Sequence, residues 1–366
     1  MTSPQDAGMM SLAYALAEKG LGRTSPNPCV GAVVVRGGRV VGHGHHEGPG
    51  KPHAEIVALE RAGYLARGAT LYVTLEPCVH WGRTPPCVGA VLASGIRRVV
   101  VSAVDPNPLV SGRGIERIRA AGFELSVGVL ASRHARLNEA YDKFIRRGAP
   151  FVTLKAAVSL DGRLATRSGD SRWISSPAAR DYVHLVRGEQ DAILVGIGTA
   201  LRDDPKLTVR HPNWRRKSVA RVVLDHGLRL PPSARIIATR ARGPVLVFAG
   251  RAAPEEAAKA LARRGAEVIR VPSAGGKLDL PSVLEELGRR EIASVLVEGG
   301  GAVATALLEA RLADKILLAL SPRLIGGAKA VPLFGGDGPD RLAGAIGLRR
   351  VSSFRLGADL IVEGYV

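Results

Sequence analysis

The chain is poor in cysteine, aromatic residues and acidic charge, and it has no long apolar run. Three cysteines in 366 residues are too few, and odd in number, for a disulfide framework. A reducing, cytoplasmic setting fits that usage. Aromatic residues make up only 4% of the chain, so the stacking surfaces that single-stranded nucleic acids use are scarce. No run reaches the roughly 18 apolar residues of a spanning helix, so no membrane partner is expected. Met1 to Gly8 lack the basic start and apolar core of a signal peptide. Acidic residues number 33 against 51 Lys and Arg, for a formal net charge of +18. The excess is spread over both halves and is not a tail. Arginine heavily outnumbers lysine, which a coding bias would also produce. No basic stripe is interleaved with aromatics, so nucleic acid is not expected as a partner. Attraction of phosphorylated substrates is a better use of the charge.

What is present is a set of soft metal donors in a telling order: His53-Ala54-Glu55, then Pro77-Cys78, then Cys87. One imidazole and two thiols leave the fourth position of a tetrahedral zinc open, which is the catalytic arrangement. Bound there, one Zn²⁺ per chain would lower the pKa of a water to roughly 7. Glu55 stands too near His53 to be a spare charge and is not needed as a ligand. It is the candidate general acid and base. This combination is the signature of the zinc deaminases, which exchange a ring amine for oxygen. Their commonest pattern closes with Cys-x-x-Cys, whereas here residues 79–86 separate the cysteines. That insertion brings the cation Arg83 and the imidazole His80 to the rim, as a phosphorylated substrate would require. The residue types after Pro77 place Cys78 at a helix N-terminus, which would favour its thiolate. Cys29 is expected to be a small buried residue.

Length suggests two domains, residues 1–147 and 148–366, with Arg146-Arg147-Gly148-Ala149-Pro150 as the hinge. In the first, helices are expected over 11–20, 54–63, 88–94 and 113–121. Strands are expected over 31–36, 39–42, 71–75, 98–104 and 124–128. Such alternation predicts an α/β sheet covered on both faces, with ligand sites beyond strand ends. The second domain restarts with a strand over 151–158. Further strands read at 193–195, 221–225, 245–249, 268–271 and 294–297, again α/β. Its strongest chemical feature is Val297-Glu298-Gly299-Gly300-Gly301-Ala302, a strand, three glycines and the start of a helix. Glycines there let backbone N–H groups approach a phosphate. A strand-linked G-x-G-x-x-G is missing, which argues against an ordinary Rossmann site. Two loop clusters accompany it: Ser168 to Trp173, and Gly196 to Thr199 followed by Asp203-Asp204-Pro205 and Arg210.

The stretches Ser25-Pro26-Asn27-Pro28, Lys51-Pro52-His53-Ala54-Glu55, Thr74-Leu75-Glu76-Pro77-Cys78 and Gly82-Arg83-Thr84-Pro85-Pro86-Cys87 resemble the bifunctional deaminase/reductase family of riboflavin biosynthesis. So do Asp105-Pro106-Asn107-Pro108, Ser159-Leu160-Asp161-Gly162-Arg163, Asp170-Ser171-Arg172-Trp173-Ile174 and Val297-Glu298-Gly299-Gly300. Val79 departs from the serine expected there. The resemblance covers nearly the whole chain. It implies a cytidine-deaminase-like three-layer domain followed by a dihydrofolate-reductase-like α/β domain. It implies zinc-dependent deamination of a phosphoribosylamino-pyrimidine, then reduction of its ribosyl group with NADPH. It assigns Asn27 to the pyrimidine. It assigns cofactor contacts to Ala157, Trp173, Thr199, Asp203 and the run Gly300, Gly301, Ala302, Val303, Ala304. Substrate contacts fall to Ser171, Arg187, Leu207, Arg210 and Glu298. Lys155 lies near them and could neutralise phosphate or stabilise an imine. A homo-oligomer is expected. Two rival readings stay open: a nucleic-acid base deaminase with an accessory domain, and a family member with only one activity.

Overall fold

The computed structural model describes residues 3–82, 84–211, 214 and 218–366; Arg83 lies outside them. The chain divides into two units, Met1–Gly148 and Ala149–Val366.

The first unit carries strands β1 (Gly31–Arg36), β2 (Arg39–His45), β3 (Thr70–Leu75), β4 (Arg98–Ala103) and β5 (Glu124–Val127) in the order β2-β1-β3-β4-β5. β1 is antiparallel to both its neighbours, while β3, β4 and β5 run parallel. Helices α1 (Pro4–Ala17), α2 (Ala54–Ala62), α3 (Cys87–Ala93), α4 (Arg113–Ala120), α5 (Ala131–Leu137) and α6 (Glu139–Arg147) flank the sheet. The period-2 alternation of β1 divides the core in two. Ala32 and Val34 pack with α2 and α3, whereas Val33 and Val35 pack with α1. This is the three-layer sandwich expected from the sequence. Gly42 of β2 lies so close to α2 that a Cβ would meet the Ala58 carbonyl and Ala62, so only glycine fits.

The larger departures from expectation are at the start of α1 and at the hinge. α1 begins at Pro4, not Ser11. Ser3 caps it by accepting the Asp6 N–H at 3.0 Å, with proline at the first position. The expected hinge at Arg146-Arg147 is the last turn of α6, where basic side chains suit the helix dipole. The helix stops at Gly148, which takes φ of 65°. Neither α5 nor α6 was foreseen.

The second unit has a nine-stranded sheet. In chain order its strands are β6 (Phe151–Ser159), the short β7 (Arg163–Ala165), β8 (Ala192–Gly196), β9 (Ala220–Leu224), β10 (Val245–Gly250) and β11 (Glu267–Val271). There follow the small ribbon β12 (Ser273–Ala274) and β13 (Lys277–Leu278), then β14 (Ser294–Glu298), β15 (Lys315–Ser321), the short β16 (Val331–Pro332), β17 (Arg349–Leu356) and β18 (Asp359–Tyr365). The large sheet runs β11-β10-β9-β8-β14-β6-β15-β18-β17, and β7 pairs with β16 outside it. Helices α7 (Pro177–Glu189), α8 (Ile197–Asp203), α9 (Arg235–Ala238), α10 (Glu255–Arg263), α11 (Leu280–Arg289) and α12 (Gly301–Glu309) connect the strands. β14 lies between β8 and β6, parallel to both, so its end sits mid-sheet. β15, β17 and β18 were not foreseen from the sequence. β17 and β18 pair antiparallel and extend the sheet at one edge.

Candidate active sites

In the first unit, β3 delivers the chain to a turn at Glu76-Pro77-Cys78. The Glu76 carboxylate, 3% exposed, accepts four backbone N–H groups: Asp105 at 3.1 Å, Gly112 at 2.9 Å, Gly114 at 2.8 Å and Ile115 at 3.1 Å. That satisfies the otherwise unpaired start of α4 and fastens the Asp105 loop beside the turn. His53 stands at the N-cap of α2 and Cys87 opens α3. These elements bring one donor atom each from His53, Cys78 and Cys87 within 4.8 Å of one another. His53 Nδ1 is 3.0 Å from Cys87 Sγ and 3.6 Å from Cys78 Sγ. Two thiols and an imidazole form a donor set that suits zinc.

Cys78 is not at a helix start in sequence, contrary to expectation. It reaches one in space, because the Cys87 N–H at the head of α3 donates to its sulfur at 3.3 Å. Hydrogen bonding from the Cys87 thiol holds Cys78 down to about 4, whereas the same contact and burial push Cys87 up. Glu55 is buried in the first turn of α2, beside the Cys87 thiol. Burial raises its carboxyl to about 7, against the opposing pull of His53. Asn27 lies near the site through His46: Asn27 Nδ2 is 3.1 Å from His46 Nε2, and the His46 ring stands edge-on to His53 with centroids 5.2 Å apart. Sequence reading assigned no role to Glu76, His46 or Thr84. A Glu-Pro pair directly after the apolar strand Thr70–Leu75 was the sequence signal that could have exposed Glu76. His80 is half-buried on the insertion and Trp81 is exposed.

In the second unit, a cleft of about 570 Å³ opens at the ends of the central strands. Ala157, Trp173, Thr199, Asp203, Gly300 and Gly301 line it. So do Ser171, Arg187, Leu207, Arg210 and Glu298. Ala304 lines a small cavity alongside, while Ala302 and Val303 line neither. Gly299 and Gly300 take φ of 73° and 75°, and Gly300 caps α12. A Cβ on Gly300 would come within 3.0 Å of Thr199 Oγ1, and one on Gly301 within 2.9 Å of the Leu333 carbonyl. The cradle is thus a close-approach surface at a helix N-terminus, as a phosphate group of a nucleotide needs.

Glu298 lines the cleft and is paired there with Arg187. Both its oxygens accept from Arg187, from Nε at 2.5 Å and from a terminal nitrogen at 2.6 Å. Burial alone would raise its carboxyl, but the Arg187 guanidinium holds it down to about 2. Lys155 sits beside it in register on β6, and burial lowers its ammonium. His184, one turn before Arg187, contacts Arg210 through both ring nitrogens. Burial, with Arg187 and Arg210 nearby, pushes His184 down to about 4. Three cations against one carboxylate leave this end of the cleft positive. Arg180 stacks on the exposed Trp173 ring at 4.5 Å from its centroid.

Comparison with known proteins matches residues 3–103 to the cytidine and deoxycytidylate deaminase zinc-binding region, and residues 150–362 to the RibD C-terminal domain. The riboflavin biosynthesis protein RibD of Aquifex aeolicus is 42% identical over 357 residues, spanning 98% of this chain and 97% of its own. The chain belongs to the RibD family. RibD is a bifunctional deaminase and reductase of riboflavin biosynthesis, and the metal donors and the cleft fall in its two matched regions. The Escherichia coli RibD is 42% identical over 336 residues, covering 88% of this chain and 89% of its own. Among solved structures, Acinetobacter baumannii RibD superposes with a TM-score of 0.87 at 37% identity, covering 99% of this chain and 98% of that one. The Thermotoga maritima diaminohydroxyphosphoribosylaminopyrimidine deaminase/5-amino-6-(5-phosphoribosylamino)uracil reductase superposes with a TM-score of 0.85 at 37% identity and the same coverage. No helix among the described residues is long and apolar enough to cross a membrane.

Proposed function

We propose that residues 1–147 deaminate 2,5-diamino-6-(5-phosphoribosylamino)pyrimidin-4(3H)-one, and that residues 148–366 then reduce the ribosyl group of 5-amino-6-(5-phosphoribosylamino)uracil to ribityl with NADPH. The observation that carries this is the separation of two complete donor sets. His53, Cys78, Cys87 and Glu55 lie in one unit; the glycine cradle and the Lys155–Glu298–Arg187 cluster lie in the other.

In the first site His53, Cys78 and Cys87 would hold zinc, which when bound would supply a Lewis acid that acidifies a water. Glu55 would take a proton from the attacking water and deliver it to the ring nitrogen as the water oxygen bonds to the amine-bearing ring carbon. It would then carry the proton of the new hydroxyl to the amine, so that the C–N bond breaks, ammonia leaves and the oxygen remains as the carbonyl. Burial suits Glu55 to both directions of transfer. Asn27 orients the pyrimidine, held in turn by His46.

In the second site the cradle residues Gly300 and Gly301, with Ala302, Val303 and Ala304 behind them, receive NADPH, whose chemistry is hydride donation. Ala157, Trp173, Thr199 and Asp203 form its walls. Arg187 and Arg210 bind the substrate phosphate, with Ser171 and Leu207 beside them. Glu298 acts by fixing Arg187 in place, since both its oxygens are already engaged. Lys155 has its buried ammonium beside this pair and is suited to hold the opened sugar's oxygen. The molecule works in the cytoplasm as a homo-oligomer and does not bind nucleic acid.

Incubation of the purified chain with the diaminopyrimidine phosphate tests the assignment. The uracil is expected without NADPH and the ribityl product with it. Failure to release ammonia in either condition would overturn the first half. Release of ammonia without oxidation of NADPH would overturn the second.

A further inference from the structure

The eight residues between Cys78 and Cys87 do more than lengthen the loop. His53 turns Nδ1 towards the two sulfurs, at 3.0 and 3.6 Å, so Nδ1 is the ring's metal-facing atom. A neutral imidazole with a lone pair at Nδ1 carries its proton on Nε2. The group at Nε2 is the Thr84 hydroxyl, 3.1 Å away. We infer that Thr84 is a positioning residue for the metal: its Oγ1 accepts the Nε2–H of His53 and so fixes the tautomer and ring orientation that present Nδ1 to zinc.

The local backbone is built to hold that hydroxyl still. Gly82 N–H donates to the Thr84 carbonyl at 3.2 Å. Pro85 and Pro86 follow, with their φ restricted by the ring, and Pro86 leads directly into α3. Cys87 then donates its own N–H to Cys78. One short segment therefore supplies a ligand, a hydrogen bond to the second thiol and the partner of the imidazole. A two-residue spacer between the cysteines has no room for the third of these. Metal-ligating histidines donate their other ring N–H to such a partner as a rule, and its loss costs about 10–100-fold in metal affinity or activity. The usual partner is a carboxylate or carbonyl. A hydroxyl does the same work without adding charge to a site whose two thiolates already balance Zn²⁺.

This inference rests on the metal reading above, and the test separates the two. Zinc affinity of the full chain is measured by competition with a chromophoric chelator for wild type, Thr84→Val and Thr84→Ser. Reductase activity and melting temperature of each serve as the check on folding. Wild type is expected to take up one zinc. Thr84→Val, which keeps the shape and removes the acceptor, is expected to bind about 10–100-fold more weakly. Thr84→Ser, which keeps the hydroxyl, is expected to stay within about threefold of wild type. Unchanged affinity in Thr84→Val would overturn the role of the hydroxyl. Equal loss in both variants would overturn it too, since packing and not hydrogen bonding would then be at stake. Failure of wild type to take up zinc would overturn the metal reading itself, and this inference with it.

Discussion

Glu55 sits in the first turn of α2, 3% exposed, with its carboxyl against a metal-site thiol. A carboxyl in that place costs free energy unless it is used. Glu55→Gln keeps size and hydrogen-bonding capacity but cannot carry a proton. We expect it to retain zinc and to lose about 10²–10⁴-fold in deaminase turnover. Metal analysis and an ammonia-release assay on the same sample check this; turnover within about tenfold of wild type would mean that another group moves the proton. At this scale the ligands were legible because metal chemistry restricts residue type and order. Thr84, His46 and Glu76 were not. Their roles are hydrogen bonds to groups 31, 19 and up to 39 positions away. A hydroxyl, an imidazole or a carboxylate in a sequence does not announce its partner.

At the scale of elements, α1 is tied to the sheet by a polar clamp. Asp6 accepts from both terminal nitrogens of Arg98 on β4, at 2.7 and 2.9 Å, and from the Tyr72 hydroxyl of β3 at 2.9 Å. The Arg98 guanidinium holds the Asp6 carboxyl down to about 2, from 3.8 in the unfolded chain. A depressed folded-state value means the unfolded state binds the proton more readily. The clamp's stability is therefore fully present above pH 3.8 and is lost as pH falls through about 2. Asp6→Asn should cost about 1.5–3 kcal/mol at neutral pH and flatten the acid limb of the first unit's unfolding curve. Denaturant titrations at pH 7 and at pH 3 decide it: an equal loss at both would show that the charge is not what matters. The strand alternation in β1 and β3 was readable in advance, because one-sided burial imposes period 2. The start of α1 was not, since a cap and a proline set it and no apolar repeat marks residues 4–8.

For the whole molecule, each donor set lies inside one unit, so lesions should separate. Cys87→Ser is expected to lose most zinc and all deamination while reduction of preformed uracil intermediate continues. Glu298→Gln is expected to do the reverse. It leaves Arg187 buried without its carboxylate, a change of the kind that costs about 3–5 kcal/mol. Reduction should fall and the deaminated intermediate should accumulate. Both assays together with thermal melting check the pair. Parallel loss of both activities in either variant would show that the units do not act independently. The family resemblance assigned Glu298 a substrate contact. Glu298 caps no helix, since α12 is capped by Gly300, and its oxygens are taken by α7.

The clustered metal donors, the carboxylate beside them, the three glycines between a strand and a helix, and the α/β character were all legible in the sequence alone. Each depends on local composition: soft ligands in order, a carboxylate beside one of them, three glycines after an apolar strand, hydrophobic periodicity. Only the tertiary structure decided which partners those groups have. β14 lies mid-sheet between β8 and β6, which puts Glu298 opposite Lys155 and within reach of Arg187, 111 residues away in sequence. The antiparallel pair β17 and β18 was likewise unreadable, because β17 is exposed along nearly its whole length and its apolar residues follow no one-sided pattern. Strand order and long-range ion pairs are set by the joint packing of distant segments, and no window of sequence contains them.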